Sequence, residues 1–205
     1  MILPRRFHQR DPVTLAKALL GQTLVRVLDD GERLAGRIVE VEAYLGVEDR
    51  AAHTCGGRRT VRNQSMWGQA GHAYVYFTYG MHHCMNIVAD RPGVPTAVLL
   101  RALEPLEGID TMRRLRSDKI ASHRLRDADL CSGPAKLTQA MAIDRTLDGA
   151  DLTRRGALFL EKAEGVEASR MVVCPRIGVG YAGEWATKPL RFYERGNENV
   201  SRKES

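Results

Sequence analysis

Two glutamates and a tyrosine alternate in the segment Gly36-Arg37-Ile38-Val39-Glu40-Val41-Glu42-Ala43-Tyr44-Leu45. In an extended strand, successive side chains point to opposite faces. Val39, Val41, Ala43 and Leu45 then form a plain core face, while Glu40, Glu42 and Tyr44 share the other with Ile38. The plain reading leaves that second face in water, because carboxylates are usually exposed. The chemical reading holds a carboxylate beside an aromatic wall, suited to drawing a proton from water.

Residues 50–63, Arg50-Ala51-Ala52-His53-Thr54-Cys55-Gly56-Gly57-Arg58-Arg59-Thr60-Val61-Arg62-Asn63, hold four arginines and no acid. Such a run is either a solvated loop or a segment that lies along phosphates, where glycine lets backbone N–H groups approach closely. A lone His53 is more often structural than catalytic. In Gly71-His72-Ala73-Tyr74-Val75-Tyr76-Phe77-Thr78-Tyr79-Gly80-Met81, Tyr74 and Tyr76 share one strand face. Tyr79 falls on the other, where Gly80 permits a sharp turn. These rings are either core residues of an ordinary strand or the features of a hairpin with one ring in a pocket and another as a wedge at its tip. His82-His83 cannot chelate one ion together, since strand neighbours point to opposite faces. Ser132-Gly133-Pro134-Ala135-Lys136 reads as a helix start, with Ser132 as cap and a lysine in the first turn, a weak anion seat. Arg176-Ile177-Gly178-Val179-Gly180 contains a G-x-G without the strand–turn–helix unit that a dinucleotide site needs.

The surrounding elements must position these groups. At 205 residues, with 43% hydrophobic and 27% charged, the chain fits one ordinary globular domain, able to bury roughly 70% of its unfolded surface without disulfide or metal. Thirty-one basic side chains against 25 acidic give +6, and 25 of the 31 are arginine. That balance favours a polyanionic partner, and arginine forks onto phosphates and stacks on flat rings. Cys55, Cys84, Cys131 and Cys174 form no C-x-x-C pair, which argues against a zinc knuckle or disulfide framework and fits a reducing cytoplasm. No apolar run suits a signal peptide or a membrane span. Asp11-Pro12 to Gly21 reads as a short capped helix. Thr23–Leu28 and Arg37–Leu45 read as strands about an Asp30-Gly31 turn. A glycine-rich irregular loop over 46–72 precedes strands at Ala73–Tyr79 and Thr96–Leu103 and helices at Thr111–Arg116 and Ser132–Ile143. Late strands are expected at Ala157–Lys162 and Met171–Cys174, and Glu194–Ser205 as a polar, frayed tail. The expectation is a single α+β domain over 1–195 with a mainly antiparallel sheet, followed by a tail over 196–205.

Taken together, Val41-Glu42-Ala43-Tyr44, His53, Arg58–Asn63, Tyr74-Val75-Tyr76, Tyr79-Gly80-Met81, Asn86 and Leu99–Gly108 form an ordered set. Cys131-Ser132-Gly133-Pro134, Gly183-Glu184-Trp185 and Lys188–Tyr193 continue it. Over about residues 13–195 the chain resembles the alkyladenine (3-methyladenine) DNA glycosylase family of vertebrates and many bacteria. The resemblance implies a base-excision repair enzyme that flips a damaged purine from duplex DNA and hydrolyses its N-glycosidic bond. It also implies a curved antiparallel sheet with flanking helices and a hairpin that enters the minor groove.

By position, the resemblance makes Glu42 the general base, with Arg101 and the Ile177 carbonyl holding the attacking water. Tyr44, His53 and Tyr76 become the walls around the flipped base, and Asn86 the residue that crowds the 2-amino group of guanine. Tyr79 becomes the intercalating wedge with Met81 beside it, and Arg58, Thr60, Met66 and Lys136 the DNA contacts. Glu40, outside the matched motif, is expected to matter much less than Glu42. The implied enzyme is a monomer on double-stranded DNA in the bacterial cytoplasm, at the nucleoid, and needs neither metal nor other cofactor. Two rival readings stand beside it: a Mg²⁺-dependent nuclease ligated by Glu40, Glu42 and Asp49, and a non-catalytic module whose tyrosines stack on bases.

Overall fold

The computed structural model of the chain describes residues 1–78, 80–117 and 125–204. A one-turn helix, α1 (Arg5–His8), leads into α2 (Pro12–Leu19). The Asp11 carboxylate caps α2 by accepting from the N–H groups of Val13 and Thr14, and Pro12 takes the first-turn position where a missing N–H costs nothing. Leu15, Ala16 and Leu19, at helical spacing, are fully buried. Strands β1 (Thr23–Val27) and β2 (Arg33–Tyr44) pair antiparallel about the expected turn. Gly31 there sits at φ +86°, a conformation that other residues adopt only with strain.

The remaining strands are β3 (Ala73–Thr78), β4 (His82–Val88), β5 (Ala97–Glu107), β6 (Leu158–Glu161), β7 (Met171–Cys174) and β8 (Arg191–Glu194). Between β5 and β6 lie α3 (Ile109–Arg116), α4 (Asp127–Leu130) and α5 (Pro134–Ala140). The described strands form one curled antiparallel sheet in the order β3-β4-β5-β2-β1-β6, and β8 joins β2 and carries β7. Strand β2 is the branch point: residues 33–37 pair with β1 and residues 40–42 with β8, while β5 runs along its other edge. Leu15, Leu24, Ile38, Val41, Leu100, Leu103 and Leu137 belong to the principal core between sheet and helices. This is the α+β fold that the sequence led one to expect.

Three expectations need correction. The strict alternation in β2 breaks at a double bulge: Ile38 pairs with Leu103, Glu40 with Ala102 and Val41 with Leu100, so Val39 and Arg101 have no opposite partner. An extra residue re-aims the side chains around it. Ile38 and Val41 therefore both enter the principal core, and Val39 turns to a smaller cluster with Ala102, Cys174, Tyr193 and Val200. Second, the helix expected over 132–143 is only Pro134–Ala140, and Ser132 does not cap it: Gly133 holds the cap position, and the Ser132 hydroxyl donates to Asp129 O. Third, residues 195–204 are not frayed. Val200 is buried, and Asn197 Nδ2 donates to Glu104 and Glu194, because polar side chains there find ionic partners on the sheet.

Candidate active site

The bulges bring four charged groups from three strands to one buried point. Glu40 and Glu42 are both fully buried, against the plain reading of a solvated face. Glu42 Oε1 accepts from the Ile177 N–H at 2.8 Å and lies 3.1 Å from Arg101 Nη1, and Oε2 accepts from the Tyr44 hydroxyl at 2.9 Å. Burial pushes the Glu42 carboxyl above its ordinary range; Arg101, the Ile177 N–H and the Tyr44 hydroxyl pull the other way without cancelling it. A carboxylate so placed is a stronger proton acceptor than an exposed one. Arg101 divides itself, donating through Nε to Glu40 Oε1 at 3.0 Å. Glu40 also accepts from Arg191 Nη1 at 2.9 Å and from the Ser201 N–H at 2.7 Å.

Tyr44, Arg101 and Ile177, which surround Glu42, also line a cavity of about 210 Å³. Its walls are aromatic. Tyr74 and Tyr76, which share one face of β3, stack with ring centroids 5.3 Å apart, and His53 meets Tyr76 edge-on at 4.6 Å. His53 Nδ1 lies 2.8 Å from the Tyr74 hydroxyl. His53 is exposed as a residue, but partial loss of solvent around the ring, followed by Arg62 and Arg58, pushes it down to about 4, so the ring is neutral at physiological pH. Burial pushes the phenols of Tyr44, Tyr74 and Tyr76 up, so these rings also stay neutral. Asn86 on β4 closes one edge: it is buried, and its Nδ2 donates to Tyr74 O at 3.1 Å. Neutral, electron-rich faces attract a flat cation.

Outside the pocket, a second groove lined by Arg50, Arg58, Thr60 and Arg62 shares His53 and Tyr181 with it. Asn63 shapes this loop by donating to the carbonyls of His53 and Arg58 and accepting from the Thr60 N–H. Arg62 places its guanidinium 5.3 Å from the Tyr76 ring centroid. Arg58 and Lys136 are exposed, and Met81 is 60% exposed at the β3–β4 connection. Met66, expected at the DNA surface, is buried against Tyr74 and lines the pocket. Tyr79, the expected wedge, lies outside the described residues.

Some of the site escaped the reading of the sequence. Tyr74 lines the pocket beside Tyr76, a placement that the resemblance does not imply. Asp49 and Arg176 form a buried bidentate pair at 2.6 and 2.8 Å, and Arg176 sits 4.6 Å over the Tyr44 ring. Their separation of 127 residues leaves no local signal. Asp49 also accepts from the Leu45 and Ala51 N–H groups, and Glu40 holds two arginines. The carboxylates assigned to Mg²⁺ in the nuclease reading are thus taken up by arginine and backbone donors, and among the described residues no three His, Cys, Asp or Glu side chains are grouped to hold a metal ion.

A neutral aromatic slot, with a buried carboxylate behind its Tyr44, Arg101 and Ile177 lining and arginines in the adjoining groove, has the chemistry to accept a flat, electron-poor ring. The model of the methylpurine-DNA glycosylase (MPG) family matches residues 6–198, and the chain belongs to this family. It is 54% identical over 200 residues to the DNA-3-methyladenine glycosylase of Homo sapiens, covering 95% of this chain and 66% of that protein. It is 52% identical to the protein of the same name from Mus musculus, covering 95% and 60%. The chain thus spans two thirds or less of these mammalian relatives. It is 48% identical to a putative 3-methyladenine DNA glycosylase of Methanocella arvoryzae, covering 98% of this chain and 96% of that protein.

Proposed function

We propose that the chain is a monofunctional DNA glycosylase of base-excision repair, which takes an alkylated or deaminated purine flipped out of duplex DNA and hydrolyses its N-glycosidic bond. The observation that carries this reading is Glu42, a buried carboxylate of raised basicity directly behind an aromatic slot. Family membership and the names of the relatives support it. Extrusion costs a few kcal/mol of stacking and pairing, least for a damaged base. In this reading Tyr79 and Met81 fill the vacated gap in the duplex, and Tyr44, His53 and Tyr76 enclose the base. Met66 backs Tyr74, and Arg58, Thr60 and Lys136 hold the phosphates. One copy of the chain carries the whole pocket, so the reading has it act as a monomer. Among the described residues no helix is long and apolar enough to cross a membrane.

For an alkylated purine the chemistry then needs one carboxylate. A ring-alkylated purine nucleotide is already cationic, and it departs as a neutral base when the bond to the sugar breaks and its electron pair moves to the ring. Water adds to the anomeric carbon and passes its proton to Glu42, whose negative charge also offsets the positive charge growing on the sugar. Ordinary glycosidases need a second carboxyl because a sugar oxygen must be protonated before it leaves. Duplexes each carrying one damaged purine test the reading. The expected result is free base and a strand that breaks only after alkali. Strand breakage without alkali, or binding without base release, overturns it.

Two predictions arise here. Asn86→Ser removes the amide that closes the pocket edge, and the 2-amino group of guanine then meets less obstruction. Excision of 7-methylguanine should rise relative to hypoxanthine without loss of overall activity. Single-turnover rates on the two lesions measure this, and an unchanged ratio means that Asn86 is not the filter. Arg58→Ala and Lys136→Ala should each flatten the salt dependence of binding to undamaged duplex by about 0.9 in the log–log slope. Neither should alter the choice of lesion, and unchanged slopes would remove both residues from the phosphate path.

A further inference from the structure

Arg101 is held at every nitrogen group of its fork. Nε donates to Glu40, Nη1 faces Glu42, and Nη2 donates to the Ser201 hydroxyl at 3.3 Å. Ser201 also gives its N–H to the other oxygen of Glu40. It lies on a strap, residues 197–204, that crosses the back of β2 and β8. Val200 is buried there beside Val39 and Tyr193. Arg202 O accepts from Arg191, the Glu204 carboxylate pairs with Arg191 at 2.9 Å, and the Glu204 N–H donates to the Tyr193 hydroxyl.

We infer that Glu40 is a positioning residue, locked by Arg191 and the strap, which keeps Arg101 from closing on Glu42. The inference rests on the glycosylase reading above. Arginine prefers bidentate pairing with a carboxylate. Were Arg101 released from Glu40 and Ser201, its fork would take both Glu42 oxygens and draw them away from the pocket. A base tied in that way has fewer free lone pairs for water, and a displacement of about 1 Å at a reacting group costs on the order of 10²-fold in rate. Glu40 also acts as a second negative charge beside Glu42 and raises its basicity. The other groups facing Glu42 are Arg101 of β5, Tyr44 of β2, Cys84 of β4, and Arg176 with the Ile177 N–H after β7.

Single-turnover excision by the full chain over a range of pH tests this. Although Glu40 lies outside the matched motif, Glu40→Gln should lower the rate on the order of 10²-fold, a larger effect than the sequence led one to expect, while lesion-DNA affinity holds. It should also move the acid limb of the pH profile to lower pH, because a like charge beside Glu42 is gone. A merely structural role lowers rate and melting temperature together and leaves the acid limb in place. That outcome, or a wild-type rate, overturns the inference. Ser201→Ala decides the matter if Glu40→Gln does not fold, since it removes one hydroxyl from a half-buried position. About a fivefold loss of rate at an unchanged melting temperature is expected for one lost hydrogen bond, and a wild-type rate overturns the inference. Absence of excision by the unmodified chain would instead overturn the glycosylase reading itself.

Discussion

Replacing Glu42 by glutamine should leave a folded protein that still binds lesion DNA but excises at least 10²- to 10⁴-fold more slowly, the roughly expected contribution of a general base. The substitution keeps the shape and removes only the charge and basicity. Stability should not fall at neutral pH. A carboxyl whose burial raises it above its unfolded value costs folding energy when ionised, so a neutral side chain removes that cost. The same shift sets the pH dependence. In the proposed mechanism the active form is the carboxylate, so excision should decline with acidification from a higher pH than an exposed glutamate would dictate. In Glu42→Gln that acid limb should vanish. Single-turnover rates across pH, with binding measured in parallel, check both. A variant that loses binding and excision equally would show that Glu42 shapes the pocket and does not act on water.

The first hairpin, the tyrosine strand and helix α2 were legible because each rests on local chemistry: an Asp-Gly turn, alternation along β3 and an Asp-Pro cap. Strand β4 was not read, since His82-His83 and Asn86 interrupt its apolar pattern, and its partners on β3 and β5 are what bury it. Four-residue β8 is polar at both ends, and Arg191 and Glu194 are buried only because Glu40 and Arg37 meet them. The double bulge leaves no mark in composition, yet it separates Val39 from Val41 and brings Arg101 to the two glutamates. Alternation thus identified Glu42 and Tyr44 as neighbours on one face, and their hydrogen bond accords with that. It could not say that the face was dry. Burial of that face depends on Arg176, Ile177 and Ser201, contributed by chain more than 130 residues away in each case.

Asp49→Asn should destabilise the domain by about 3–5 kcal/mol, the usual cost of removing one partner from a buried ion pair. For a chain of this size that corresponds to a melting temperature lower by roughly 10 °C. The reason lies in what remains. Arg176 and Asp49 are both fully buried as side chains, and an amide at 49 leaves the guanidinium without a counter-charge. Asp49 also ties down the Leu45 and Ala51 N–H groups at the start of the loop that carries His53. The consequences therefore reach the pocket: Arg176 loses its anchor over the Tyr44 ring and at Ala43 O, so the wall beside Glu42 loosens. Excision should fall along with stability, even at temperatures where the variant remains folded. Removing both charges in Asp49→Leu/Arg176→Met should recover much of the lost stability, since apolar replacements of a buried pair are often neutral or better. It should not recover excision, because the guanidinium over Tyr44 is still missing. Thermal unfolding of the single and double variants, with excision assayed well below their transitions, separates the two effects. A single variant that melts within 1–2 °C of the unmodified chain, against the roughly 10 °C expected, would mean that water or rearranged backbone replaces Asp49 as the partner of Arg176.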